Sequence, residues 1–110
     1  MILRLELDGP LLRTADDAMD LIATTFVPGG AETIVVPVAR LDPDFFRLSS
    51  GVAGEVAQKF ANYRRRLVIL GDVSVYVARS DAFRDWVREV NRGRDLLFVA
   101  DDAELRERVE

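Results

Sequence analysis

Two short, largely apolar runs limit the folds open to this chain more than any other feature. The first, LVILGDV, covers residues 67–73, and the second, LLFVA, covers residues 96–100. Runs of this length are too short to span a membrane as a helix and are typical of strands covered on both faces. Helical patterns precede both runs, so the sequence predicts a sheet with helices packed against it.

The first third of the chain shows the same alternation of strand and helix. Leu3, Leu5 and Leu7 alternate with charged residues, which predicts a strand with one solvent-facing side, at a sheet edge or antiparallel to its neighbours. Thr14 and Asp17 have the spacing of a capping box and predict the start of a helix. The predicted apolar stripe of this helix consists of Ala15, Ala18, Met19, Ile22 and Phe26.

Three further helices and a second strand follow. ETIVVPVARL, residues 32–41, predicts a strand in which Pro37 suits an edge or a strand end. A second helix is expected over residues 50–63, a third is expected to start at the cap Ser80 and stop at Gly93, and a fourth to start at Asp101. The predicted buried positions of the second and third helices are Val52, Val56, Phe60, Tyr63, Phe83, Trp86, Val87 and Val90.

The order of these elements predicts an α/β fold, β-α-β-α-β-α-β-α, with a mostly parallel four-stranded sheet. A length of 110 residues predicts a single domain, residues 1–110. No secretory signal pattern opens the chain, so we expect a cytoplasmic protein that does not enter the membrane.

Composition excludes several kinds of chemistry. The chain has no cysteine and no histidine, which removes thiol nucleophiles, disulfides, imidazole catalysis and the usual zinc and haem ligands. We therefore expect no resident cofactor or metal and favour a protein without catalytic activity. The net charge of −4 opposes nucleic-acid binding, and the basic run Arg64, Arg65 and Arg66 is interpreted as a solvated helix end.

The predicted topology collects polar residues at the two edges of the sheet where strands end and begin. The carboxyl edge, where parallel α/β sheets usually bind ligands, is expected to hold Ser49, Ser50, Gly51, Asp72, Ser74, Asp101 and Asp102. The opposite edge is expected to hold Arg64, Arg65, Arg66, Arg92 and Arg94. Helix dipoles explain much of this separation, because acids stabilise helix amino ends and bases stabilise carboxyl ends.

The amino end of the second helix differs from the others in the sequence. Ser49, Ser50 and Gly51 introduce it, and no acid occurs before Glu55, so it alone is expected to lack a carboxylate in or beside its first turn. Its free amide groups suit a phosphate, either bound or attached to a serine. Helix capping by serine and close packing at glycine are the competing explanations.

Other polar residues supply further candidates. Asp72 and Ser74 are candidates for the carboxyl edge, where Asp72 could hold Mg²⁺. Gln58 and Asn62 lie four residues apart on the second helix and are candidates for contacting a partner or for satisfying neighbouring backbone. Asn91 and Arg92 are candidates for interaction or for a helix stop.

The stretch LSSGVAGEVAQKFANYRRRLVILGD resembles the centre of STAS domains, the group that includes anti-sigma factor antagonists and sulphate transporters. Those domains place an Asp-Ser-Ser/Thr-Gly motif before a helix and a buried strand after it. The resemblance implies that Ser49 corresponds to the phosphorylated serine of the group. Leu48 stands where the group has an acid.

A resemblance to a bacterial family of domains of unknown function, family 4180, extends over nearly the whole chain. It is carried by GVAGEVAQKFANY, by GD at residues 71–72, and by VNRGRDLLFVAD. The resemblance implies a small bacterial cytoplasmic protein without an assigned activity.

These observations lead to one main hypothesis and two alternatives. The main one is a STAS-like signalling or interaction domain that binds a protein partner through Ser49 and the second helix, with regulation by phosphorylation or anion binding. The first alternative is a small-ligand domain or a magnesium-dependent phosphate-handling enzyme that uses the same helix end and Asp72. The second is a structural subunit of a homo-oligomer.

Overall fold

The computed structural model describes residues 1–109, in which four strands and five α-helices follow one another along the chain. Three short 3-10 turns, at Val38–Arg40, Pro43–Phe46 and Leu48–Ser50, lie between the second strand and the second helix. The elements are β1 (Ile2–Arg4), α1 (Ala15–Ala23), β2 (Thr33–Pro37), α2 (Val52–Asn62), β3 (Arg66–Leu70), α3 (Ser74–Arg79), α4 (Asp81–Val90), β4 (Leu96–Val99) and α5 (Asp102–Val109).

The four strands form one sheet in the order β1-β2-β3-β4, and every pair is parallel. Each strand therefore pairs with the next strand in the sequence. The register aligns Ile34 with Leu67 and Leu67 with Leu96. The predicted α/β class and parallel sheet are confirmed, and β1 lies at an edge, parallel to its neighbour.

One face of the sheet carries most of the core. Because side chains alternate along a strand, Ile34, Leu67 and Phe98 point to this face, where α1, α2 and α4 pack. Phe83 of α4 makes edge-to-face contacts with Phe98 and with Phe46. The long connection before α2 is fixed to this core by Phe45 and Phe46, which are both buried.

The other face of the sheet is covered by α5. Leu105 packs there against Val35, Val68, Leu97 and Val99, which form a separate and smaller apolar cluster. The Arg4 guanidinium donates a hydrogen bond to Asp102 over 2.7 Å, so the start of α5 is tied to the edge strand β1. The apolar runs in β3 and β4 are thus covered on both faces, as predicted.

The predicted helix starts are confirmed at three positions. Thr14 Oγ1 accepts a hydrogen bond from the Asp17 backbone N–H, and Asp17 Oδ2 accepts one from that of Thr14, which completes a capping box. Ser80 accepts from the backbone N–H of Phe83, and Asp101 from that of Glu104. These caps depend on residues three positions apart, so local sequence was sufficient to find them.

Two aromatic residues predicted to be buried are exposed. Phe26 is 54 % exposed and Tyr63 is 42 % exposed, because α1 ends at Ala23 and α2 at Asn62, before the helical stripe reaches either ring. The two rings instead contact each other edge to face, with 6.1 Å between their centroids. They form an aromatic pair on the surface.

The segment after β3 also differs from the prediction. The strand ends at Leu70, and residues 71–73 form a turn that leads into α3. The sequence patterns did not indicate this short helix. The helix that was expected to stop at Gly93 is α4, and its last helical residue is Val90. Within residues 1–109, no helix combines the length and the apolar character needed to cross a bilayer.

Candidate functional site

The turn Leu48–Ser50 leads directly into α2 and is held in place by one of its serines. Ser50 Oγ donates a hydrogen bond to the backbone carbonyl of Asp44 over 2.7 Å and accepts one from the Val52 N–H at 3.2 Å. One hydroxyl thus joins the preceding turn to the first residue of the helix. Ser50 acts as a local cap, although Gly51 is the residue at the helix boundary.

Ser49 differs from Ser50 in both exposure and bonding. Its side chain is exposed and forms no hydrogen bond with any of residues 1–109. Gly51 follows in the left-handed region with φ 80°, which a glycine adopts without strain. Ser49 therefore stands on the outside of a turn whose geometry is set by Ser50 and Gly51.

The expectation that the amino end of α2 lacks a carboxylate is wrong. Glu55 lies in the first turn, and its Oε1 is 3.9 Å from the position that a Cβ on Gly51 would occupy. The side chain folds back toward the helix end, so its negative charge lies near the free amide groups. Among the described helices it is α3, and not α2, whose first turn contains no acid.

Asp72 and Ser74 form a local turn at the start of α3. The Asp72 carboxylate accepts a hydrogen bond from the Ser74 backbone N–H at 2.8 Å. Hydrogen bonds from the Ser74 hydroxyl and then from its N–H hold the pKa of Asp72 below its ordinary value of 3.8. This aspartate closes the turn that precedes α3, whose boundary residue is Val73.

The residues predicted for the carboxyl edge do not form a single site. A cavity of about 260 Å³ is lined by Asp72, Ser74 and Asn91, but not by the serine turn. Asp101 caps α5, and Asp102 pairs with Arg4. Residues 1–109 contain no group of three or more acidic side chains placed to hold a metal ion, so the magnesium alternative has no set of ligands around Asp72.

A groove runs along α2 on the side facing α4. Gly54, Ala57 and Ala61 form its α2 wall, Trp86 contributes from α4, and the volume is about 370 Å³. A Cβ on Gly54 would meet no atom within 4 Å, so this position is open to solvent. Gln58, which also lines the groove, donates from Nε2 to Asn62 Oδ1 at 2.7 Å.

Asn91 has a structural use within the chain. Its Oδ1 accepts a hydrogen bond from the Phe98 N–H at 2.7 Å, and its Nδ2 donates to the Phe98 carbonyl at 3.4 Å. The side chain thereby occupies the free edge of β4 as a neighbouring strand would. Arg92 lies on the surface, with one guanidinium nitrogen 3.6 Å from Glu89.

The arginines predicted for the opposite edge do come together, with one exception. Arg64, Arg65, Arg66 and Arg94 line one cleft where β2 and β3 begin, and Glu32 and Asp95 line it with them. Arg92 does not line this cleft. The sequence indicated the shared edge, but not that these residues surround a cavity.

Comparison with known proteins identifies the family without extending to an activity. No curated protein and no solved structure matches the chain. The family described as Domain of unknown function (DUF4180) matches residues 1–109, which is nearly the entire sequence. The chain therefore belongs to this family.

Proposed function

We propose that the protein is a non-catalytic interaction module that binds a protein partner through the turn Leu48–Ser50 and the exposed surface of α2. The observation that carries this proposal is the division between the two serines. Ser50 is bonded into the turn, whereas Ser49 is exposed and unbonded among the described residues. A modifying enzyme or a partner can reach the Ser49 hydroxyl without breaking any contact of the fold.

The groove beside α2 supports the same proposal. Small side chains at Gly54, Ala57 and Ala61 leave room for another element to approach the helix closely, and Trp86 offers an aromatic surface opposite. Buried aromatic residues are frequent anchors in protein interfaces. The Gln58–Asn62 pair beside the groove offers polar atoms to a partner.

Phosphorylation of Ser49 would change the charge of this surface. A phosphoserine adds about two negative charges near neutral pH. Arg47, two residues earlier, is exposed and pairs with Asp44 at 2.8 Å, so a phosphate at Ser49 would compete for this guanidinium. The Glu55 carboxylate, near the amino end of α2, would repel the phosphate. The modification would therefore rearrange the ion pairs of the turn.

The order of elements agrees with the resemblance to STAS domains. Ser49, Ser50 and Gly51 precede a helix, and the buried strand β3 follows that helix. Leu48, which replaces the acid of that group, is partly buried against the main core. An acid at this position would lose water on one side, so the difference at Leu48 has a structural reason here.

Affinity purification from the native cell, followed by mass spectrometry, tests the proposal by comparing variants. Gly54→Lys fills the groove at an exposed helical position and should remove the bound partner, while Ala82→Lys, on the exposed surface of α4, should retain it. Ser49→Asp and Ser49→Ala should change the amount of partner in opposite directions. Equal recovery of every partner by all four variants would contradict the proposal.

A homo-oligomer remains the second partner prediction. Light scattering across a range of protein concentrations would detect it, since the mass of a self-associating chain rises with concentration. If Gly54→Lys reduced that mass and Ala82→Lys did not, the partner at the groove would be a second copy of this chain.

A further inference from the structure

The cleft at the amino edge of the sheet is a second candidate site, independent of Ser49. It has a volume of about 730 Å³. Small-molecule sites typically have volumes of about 300–1,000 Å³. Its walls come from five parts of the chain, namely residues 1–2, the start of β2, the segment from the end of α2 to β3, the segment before β4, and Val109 at the end of α5. Its most frequent side chain is arginine.

The end of α2 directs three consecutive arginines to this cleft. The Arg65 N–H bonds to the Phe60 carbonyl at 2.9 Å, and the Arg64 N–H bonds to the Ala61 carbonyl at 3.1 Å. This pair of bonds defines a Schellman motif, in which the residue after the helix cap adopts a left-handed conformation. Arg64 occupies that position with φ 54°. The turn allows Arg64, Arg65 and Arg66 to line one cavity.

An arginine at this position is costly. Glycine is the usual residue there, because a side chain in the left-handed region costs about 1–2 kcal/mol. Arg64 is the single non-glycine residue with positive φ among residues 1–109. The chain thus accepts strain where glycine would relieve it, and what the arginine adds is a guanidinium in the cleft.

The arginines of the cleft form no ion pair with the described residues, as is also true of Arg40, Arg79, Arg88, Arg106 and Arg108 elsewhere in the chain. Among residues 1–109, ion pairs to carboxylates are formed by Arg4, Arg13, Arg47, Arg84 and Arg92. None is formed by the four cleft arginines, although Glu32 and Asp95 line the same cavity. Four positive charges therefore face two negative ones in a protein whose net charge is −4.

Neutral groups hold two of these arginines in position. Arg65 Nε donates to Thr25 Oγ1 at 2.9 Å, and its guanidinium lies 4.0 Å from the centre of the Phe26 ring. Arg66 Nε donates to the Arg94 carbonyl at 2.9 Å. Contacts of this kind restrict the side chains without neutralising them, so their charge is available to a ligand.

The helix dipole does not explain the whole group. It favours a base next to the end of α2, which accounts for Arg64. The effect falls off within the last turn of a helix. Arg66 is the first residue of β3, and Arg94 lies four positions beyond the last residue of α4. A shared anionic ligand accounts for all of them together.

We propose that this cleft binds a small ligand carrying a pyrophosphate group. Arginine pairs with phosphate through two parallel hydrogen bonds, and this geometry suits it better than lysine to specific recognition. A pyrophosphate carries several negative charges close together, and arginines from two segments of the chain would pair with its two phosphates. The source is either free pyrophosphate or a nucleoside diphosphate.

Isothermal titration calorimetry of the purified protein tests this assignment with sodium pyrophosphate, adenosine diphosphate and adenosine monophosphate. Adenosine diphosphate should bind at least tenfold more tightly than adenosine monophosphate. Similar affinities for pyrophosphate and adenosine diphosphate would show that the pyrophosphate group is sufficient for binding. Tighter binding of adenosine diphosphate would show that the nucleoside contributes. Absence of binding at about 1 mM of each compound would overturn the proposal.

Two variants locate the site. Arg64→Gly and Arg94→Gln should each weaken binding at least tenfold, while Arg79→Gln, on α3 outside the cleft, removes the same charge and should change the affinity less than twofold. Arg64→Gly should also raise the melting temperature, so its loss of binding would not result from unfolding. Equal affinities for all three variants would overturn the assignment, as would tighter binding of a single-stranded RNA or an acidic peptide.

Discussion

The two ends of α2 both have a residue in the left-handed region, and they use opposite residue types for it. At the amino end this residue is Gly51, with φ 80°, and the serine before it closes the turn. At the carboxyl end it is Arg64, with φ 54°, beside arginines that have no ion pairs among the described residues. The conformation at the amino end therefore carries no strain. The conformation at the carboxyl end is strained, and it places the charge of Arg64 in the cleft.

This contrast distinguishes capping from ligand binding. In a cap, each polar group has a hydrogen-bond partner within the chain, as Ser50 has in Asp44 and Val52. The arginine cleft has the reverse character, since strain and unneutralised charge both remain in the folded protein. Substitutions of Ser50 and Gly51 should therefore lower stability, and substitutions of the cleft arginines should lower binding of the anionic ligand.

Gly51→Ala should have the largest effect on stability. A side chain at φ 80° should lower the free energy of unfolding by about 1–2 kcal/mol. Gly54→Ala is the matched control, because Gly54 lies inside α2 with open space around it and should gain about 0.5–1 kcal/mol. Urea denaturation measures both. A loss at Gly54 equal to that at Gly51 would contradict the assignment of the Gly51 loss to its left-handed backbone conformation.

Ser50→Ala should cost about 1 kcal/mol, the usual loss for a capping serine. The variant leaves the Val52 N–H without its side-chain acceptor and releases the turn from Asp44. Ser49→Ala should change the free energy of unfolding by less than about 0.5 kcal/mol, as surface substitutions usually do. Comparable losses at both serines, again in urea denaturation, would remove the distinction on which the proposed function depends.

Arg64→Gly should raise the free energy of unfolding by about 0.5–1 kcal/mol, because glycine adopts the left-handed conformation freely. Arg64→Ala, which removes the same charge but retains a Cβ, should give no such gain. Thermal unfolding of the two variants separates conformational strain from charge repulsion. An equal gain in both would mean that repulsion among the arginines is the main cost.

Asp72→Asn should have the smallest effect on stability, and the effect should occur only at acidic pH. Its pKa is lowered in the folded state, so its stabilising contribution is present above about pH 4 and is lost as pH falls through the lowered value. Asp72→Asn keeps an acceptor for the Ser74 N–H but removes this titration. Thermal unfolding should therefore show a shallower fall in stability below about pH 4 for the variant than for the unaltered protein. Identical curves would contradict this expectation.

Much of the fold was predictable because its signals are local. The capping box at Thr14 and Asp17 and the apolar runs of β3 and β4 require only neighbouring residues to be interpreted. Phe26 and Tyr63 were placed in the core because a helical period was extended past the ends of their helices. Helix α3 was missed because Asp72 follows an apolar run and was interpreted as a strand end.

The candidate sites were less predictable, since both depend on geometry at the ends of α2. Ser49 and Ser50 are equivalent in the sequence, and the bonds of Ser50 to the Asp44 carbonyl, six residues earlier, and to the Val52 N–H distinguish them. The three arginines after α2 matched a solvated helix end. Without a glycine at residue 64, no sequence signal indicated a Schellman motif, and the cleft also requires Arg94 from a distant segment.

The strand order β1-β2-β3-β4 has a consequence for how the chain folds during synthesis. Each strand pairs with the one made just before it, so the sheet can grow in the order of translation, without waiting for a distant segment. The helices that cover the main core, α1, α2 and α4, are synthesised between the strands. By contrast, α5, which covers Val35 and Val68, is the last described element to be synthesised. We expect the nascent chain to expose that valine-rich face until α5 docks, which makes this face the natural target for a chaperone.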